Sequence, residues 1–331
     1  MGTESARELD PQADPQWFIG QLRRLMTACG AGTATRLGGR KKNQPTDKEV
    51  FSHSTISRAL SPFIQSTPTA DFTRRFVERC TEYADEHAIV LSSADRDVEY
   101  WLELLAAVDE EIKEAARLAT LDLAMLWSEL ADLDDWRKSS ETSLIPPLGM
   151  SFTVQDRLTA LRLWMAEAEW PKPFSKVASA IGNFHHVLGD LLDFFTSNST
   201  YSTQFDEYYV LLDHSLRFDY GPERLRAERE YLLNIDLFVR LWFELTAAGN
   251  HVCDAVRDEL DGAFRLGKGR IATIHGPDSM GRCQITRWVY SADTRHHAHP
   301  YPGFEALREA LRVPTSGGRE RERLIDESGA F

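Results

Sequence analysis

The chain has 331 residues and a formal net charge of −13, long enough for two domains that each bury a core of their own. With 42% hydrophobic and 27% charged residues its composition is ordinary for a soluble globular protein, which argues against a disordered, fibrous or disulfide-stapled chain. No run of about 18 apolar residues occurs, and the amino terminus is acidic rather than basic-then-apolar, so the reading is a cytoplasmic protein with no membrane partner.

Charge is unevenly placed along the chain. Residues 17–80 hold 11 Lys and Arg against 4 Asp and Glu, a net of +7, whereas residues 81–135 hold 3 against 16, a net of −13. A basic module beside an acidic one has the electrostatic footprint of a polyanion binder, provided that the basic side chains share a face. The 30 Arg against 8 Lys point to a GC-rich, bacterial kind of coding genome and decide nothing about mechanism. Cys29, Cys80, Cys253 and Cys283 are widely spaced and read as buried free thiols.

Residues 1–15 read as a disordered tail. From Trp17 the apolar residues Phe18, Leu22, Leu25 and Met26 recur at helical spacing, Arg23 and Arg24 ride on the same helix, and Gly30 closes it. Gly38, Gly39 and Pro45 forbid a continuous helix through 31–50. Either a stub at 35–40 runs into a basic loop, or a capping box at Thr46-Asp47-Lys48-Glu49 starts a helix late. Arg40-Lys41-Lys42 is the densest positive cluster in the chain.

The segment from Phe51 to Pro62 is a short, well-punctuated helix. Ser52 caps it, Phe51 and Ile56 can form a staple, and Pro62 marks its end. Ile56 and Leu60 face a core, leaving His53, Ser54, Ser57 and Arg58 on the outside with no acid among them. A helix around 72–86 follows, with Phe72, Phe76, Val77 and Cys80 inward, closing a domain over 16–93. In residues 94–136 apolar positions recur every three or four residues from Trp101 to Leu133, an acidic connecting helix that either dimerises or packs on its own chain. Residues 137–151, with Ser139, Ser140, Pro146, Pro147 and Gly149, read as a linker. Helices are expected at 153–169, 174–197, 202–217 and 222–264, the last nearly apolar throughout its middle and so central to a bundle spanning 152–313. Period-two patterning at 270–275 and 283–290 around Gly276-Pro277 predicts a β-hairpin over 270–290. A short helix over 303–313 and a disordered tail over 314–331 complete a mainly α chain.

Ser54-Thr55-Ile56-Ser57-Arg58-Ala59-Leu60 resembles the recognition helix of the phage-repressor-like (xenobiotic-response-element type) helix-turn-helix family. The likeness extends over about 17–101, with 17–26 similar to the first helix and 71–80 to the one after the recognition helix. The family's second helix runs straight into the turn, which the glycines and proline of 31–50 interrupt here. The resemblance implies a sequence-specific regulator of double-stranded DNA. His53, Ser54, Ser57 and Arg58 would meet base edges, Ser52 and Thr55 phosphates, and Arg40, Lys41 and Lys42 the backbone. A homodimer through 94–135 on paired half-sites fits the same picture. The bundle over 152–313 is then a sensor or interaction domain, its aromatic content forming a ligand pocket or an ordinary core. The alternative is a non-enzymatic scaffold protein in which a degenerate helix-turn-helix no longer reads DNA.

No constellation argues for an enzyme, a cofactor or a metal. The Glu-x-x-His spacing of helical di-metal centres is absent, although His185-His186 with Asp190, Asp213-His214 and His251 with Asp254 sit on three successive expected helices. His296-His297-Ala298-His299 reads as a solvated loop run. Gly267-Lys268-Gly269-Arg270 lacks the frame of a phosphate loop.

Overall fold

The computed structural model describes residues 13–38, 52–217, 221–277, 280–297 and 299–312, and the backbone of 324–326. The described chain is mainly α-helical with a few short strands, and its packing divides it into two units, Met1–Ala116 and Arg117–Phe331.

In the first unit, α1 (Pro15–Ala28) begins where its capping chemistry dictates. Asp14 accepts from the Gln16 N–H at 2.8 Å, and Pro15 fills the first turn, where a missing N–H costs nothing. Gly30 follows its end at φ +80°, and a Cβ there would run into the Ile89 side chain. Helix α2 (Ala34–Leu37) is a single turn, the stub of the two readings for this stretch. The late helix at Thr46–Glu49 lies outside the described residues, as do Arg40, Lys41 and Lys42. Helices α3 (His53–Ala59), α4 (Ala70–Glu86) and α5 (Ser93–Arg96) start on Ser52, Thr69 and Ser92, each accepting a backbone N–H through its hydroxyl.

These elements share one core, in which Phe18, Leu22, Ile56, Phe76 and Val77 are fully buried. It is completed by the first part of α6 (Val98–Leu130), through Trp101, Leu104, Leu105 and Val108. The domain edge expected at 93 therefore falls short of the compact unit, because the first turns of α6 bury their apolar side chains in the same core. The Trp101 ring meets Phe18 edge-on at 6.3 Å. Further along the same helix, Ala124 and Trp127 are buried in the second unit. Leu118, Met125 and Leu126 are exposed. Cys29, Cys80 and Cys253 are buried free thiols, whereas Cys283 is exposed. Cys29 and Cys80, 51 residues apart, meet in the first core, where a hydrogen bond from Cys80 draws the Cys29 thiol down to about 7. The same bond, with burial, pushes Cys80 far up.

The second unit is built on α9 (Ser175–Asn198) and α10 (Pro222–Glu259), packed on one another. Along α10 Leu237, Phe238, Leu241, Trp242, Leu245 and Val252 are fully buried, each removal from water worth about 1.5–3 kcal/mol before conformational entropy is counted. Helix α8 (Phe152–Glu167) lies against α9.

Three expectations fail here. Residues 137–151 are no linker: they form α7 (Trp136–Leu144) and β1 (Gly149–Ser151). The serines that suggested flexibility are buried on α7. Ser140 donates to the Arg137 carbonyl at 2.8 Å and accepts from the Ile274 N–H at 3.0 Å, small polar groups that let other backbone approach closely. Residues 202–217 are not an α-helix, although His214–Arg217 form a short 3-10 turn. The run Tyr-Tyr-Val-Leu is β3 (Tyr208–Leu211), centre of a sheet ordered β1-β3-β2 with β2 at Ser199–Tyr201, as aromatic and β-branched side chains favour. Thirdly, the hairpin is shorter than 270–290. Strand β4 (Thr273–His275) pairs with β5 (Gln284–Thr286), Ile274 opposite Ile285. The period-two pattern continues into β6 (Trp288–Tyr290), but that strand pairs with β7 (Leu324–Asp326), three residues of the stretch read as a tail. Alternation fixes which side chains share a face, not which strand lies alongside. Helices α11 (Ala292–Arg295) and α12 (Phe304–Arg312) follow β6 in the chain.

Two buried asparagines bind these pieces to the helix pair. Asn250 of α10 donates to the carbonyls of Ile271 (3.0 Å) and Trp288 (2.9 Å) and accepts from the Ile271 N–H. Asn183 of α9 donates to the Tyr290 hydroxyl and accepts from the Tyr301 N–H. Each satisfies loop backbone that would otherwise be buried unpaired.

Candidate nucleic-acid interface

The polar face of α3 is the candidate. Ile56 is fully buried and Leu60 nearly so, which rolls His53, Ser54, Ser57 and Arg58 outward as the spacing requires. Ser52 and Thr55, assigned to phosphates by the resemblance, are half-buried. The Ser52 hydroxyl accepts from the Thr55 N–H at 3.2 Å and lies 2.8 Å from the Ser54 hydroxyl and 2.9 Å from that of Thr55. These three hydroxyls form a cap network at the helix start. That leaves His53, Ser57 and Arg58 as the outward groups not engaged in it.

Both ends of α3 are braced. At its carboxy end the Leu60 carbonyl accepts from Arg23 of α1, through Nε at 3.0 Å and through Nη2. Gln16 of α1 donates to the carbonyl of Ile64 in the following loop. At the amino end Gly38, just after α2, approaches so closely that a Cβ on it would lie 2.6 Å from the His53 backbone nitrogen. Arg79 of α4 donates to the Leu37 carbonyl at 3.0 Å. The end of α2 and the start of α3 thus touch, although residues 39–52 intervene in the sequence. The turn expected between two such helices is spatially closed, while Arg40, Lys41 and Lys42, which lie between them in the sequence, are outside the described residues.

Beside α3 runs an open groove of about 670 Å3, lined by Thr55, Arg58, Ile64, Thr67, Asp71 and Arg75 among others. Asp71 is paired with Arg75 at 3.2 Å. Four acids of the 95–111 segment are engaged elsewhere: Glu99 with Arg74, Asp95 with Ser92, Asp97 with the first N–H groups of α6, and Asp109 with Thr67 at the groove's edge. Among the described residues none of them pairs with His53, Ser57 or Arg58.

The bracing residues were missed from sequence. Arg23 was read as riding on the first helix, whereas its guanidinium is committed to the Leu60 carbonyl, and Arg24 donates to Gln21 at 2.8 Å. No local pattern marks an arginine that caps a helix 37 residues away. Gly38 did carry a signal, as a helix breaker, but its closeness to His53 is tertiary.

In the second unit the histidines do not converge. His186 sits 3.6 Å from Asp190 of its own helix, and burial holds both His185 and His251 below the ordinary imidazole range. Among the described residues no three His, Cys, Asp or Glu side chains come together as a metal would require, and no helix is long and apolar enough to cross a membrane. Comparison with protein-family models, with curated proteins and with solved structures finds no match to this chain.

Proposed function

We propose that the first unit reads double-stranded DNA through α3, and that the chain is a sequence-specific transcriptional regulator whose second unit serves as a sensor or interaction module. The observation that carries the reading is the outward face of α3: His53, Ser57 and Arg58 exposed, no acid paired with them among the described residues, and the helix held at both ends by Arg23 and Gly38. A short rigid helix with a free guanidinium suits major-groove readout, because Arg is the commonest partner of guanine there. The groove beside Arg58 would take the flanking phosphates, and the basic stretch inserted before α3 adds charge to the same unit.

The test is selection of duplexes from a mixed pool by the full chain at several salt concentrations, beside an Arg58→Ala, Ser57→Ala variant. Salt-sensitive, sequence-selective binding is expected, with the variant losing about 1–3 kcal/mol of discrimination at one or two positions while its melting temperature holds. Absence of duplex binding at low salt would remove this reading and favour the scaffold alternative.

A further inference from the structure

The Gly267-Lys268-Gly269-Arg270 segment lacks the frame of a phosphate loop, yet the fold surrounds it with other cations. It lines a cavity of about 320 Å3 in the second unit together with the first turn of α7 and the base of the β4–β5 hairpin. Arg137, Lys138, Arg265, Lys268, Arg270 and Arg287 all border this space. The acids on its lining are Asp134 and Asp135, and Asp254 pairs with Arg270 beside it, so six cations against three carboxylates leave +3.

The cavity is built rather than incidental. Arg265 sits at φ +51°, a backbone region that non-glycine residues enter rarely, and its guanidinium donates to Ser128 at 2.9 Å. Asp134 accepts from Arg265 at 2.9 Å and Lys268 at 3.1 Å, tying the loop to the approach of α7. Arg270 is oriented by Asp254 at 3.2 Å, and the next residue, Ile271, is clamped by the buried Asn250. Arg137 and Lys138 are exposed and make no ion pair among the described residues. They are charges available to an incoming group.

We propose that this cavity binds a small molecule bearing two or more linked phosphates, such as a nucleoside diphosphate or triphosphate. Two linked phosphates, at about −1.5 to −2 each, match the surplus of +3, whereas a single carboxylate does not. The space suits the same class: at ~30 Å3 per water it holds roughly ten waters, room for a diphosphate and part of its organic group. Ile285 and Ala272 on the lining give that group an apolar edge. A concave site bordered by the base of a hairpin favours a compact anion over the long backbone of a nucleic acid. The inference is independent of the duplex-binding reading, since every residue in it belongs to the second unit.

The experiment is calorimetric titration of the full chain with inorganic tripolyphosphate, with inorganic phosphate, and with a short DNA duplex, each at low and moderate salt. Tripolyphosphate is expected to bind saturably, at least about tenfold tighter than phosphate. An Arg137→Ala, Lys138→Ala, Lys268→Ala variant should lose roughly a hundredfold or more, and Lys138→Ala alone, at an exposed position that leaves folding intact, roughly tenfold. Lys172→Ala, an exposed lysine outside the cavity, should change nothing. The proposal is overturned if tripolyphosphate does not bind at low salt, if it binds the cavity variants as well as the parent, or if phosphate binds as tightly. It is equally overturned if the duplex binds through these three cations and displaces tripolyphosphate.

Discussion

The two units use the same cations in opposite geometries. In the first, Arg58 stands on the outside of a braced helix beside a wide groove, with no acid paired to it among the described residues. In the second, arginines and lysines from three segments border one open cavity, some of them positioned by Asp134 and Asp254. A convex cationic face meets something long and external, and its acids must be kept away. A concave one encloses something small, and needs acids and amides to hold like charges close before the ligand arrives. Net charge would not have separated them, because it counts charges without saying which way they face.

The largest test of the comparison asks whether the units stand separately. Trp136 is buried where α7 meets α10, 5.7 Å from the Trp242 ring, and donates from Nε1 to Thr246 at 3.0 Å. Trp136→Ala should cost the second unit about 3–5 kcal/mol and leave the first unit's transition in place, read as a split melting curve followed by hydrogen exchange. A single shifted transition would show the units to be one cooperative body. A smaller effect is expected at the helix pair of the first unit. Gly38→Val drives a side chain into the His53 backbone and should cost about 1–3 kcal/mol in urea unfolding, with duplex binding falling further than stability. Equal losses would mean that α3 needs no fixed seat.

The smallest effect is a pH dependence confined to the second unit. Burial lowers the His251 pKa from its ordinary 6.5, with the Asp254 carboxylate opposing and Arg295 assisting. The unfolded chain then takes up the proton more readily than the folded one, so this contribution to stability is complete above about pH 6.5 and is lost as pH falls. Unfolding of the second unit at pH 7.5 and 5.5 should show that fall, and His251→Phe, which keeps a ring beside Tyr290, should reduce it and leave the share of His185.

Legibility from sequence followed the range of the interactions. The cap Ser52, the closing Gly30 and the faces of α1, α3, α4, α9 and α10 were all readable, because a cap or an apolar stripe is settled within a few residues. Within the candidate interface His53, Ser54, Ser57 and Arg58 were correctly turned outward. Ser52 and Thr55 were placed on phosphates although the helix start engages them.

What only tertiary structure decided is what depends on partners far along the chain. The serine-rich 137–151 looks like a linker until the backbone of β4 is laid against it, and Tyr208–Leu211 becomes a strand because β1 and β2 flank it. The pattern at Trp288–Tyr290 announces a strand and leaves its neighbour, β7, undetermined. The cations of 137–138, 265–270 and 287 acquire a common purpose only when Asn250 and Asp134 bring three separate segments to one cavity. Local hydrogen bonds and periodicity are written in neighbouring residues, whereas strand partners and convergent charge are set by chain closure over tens to hundreds of positions, which no local pattern encodes.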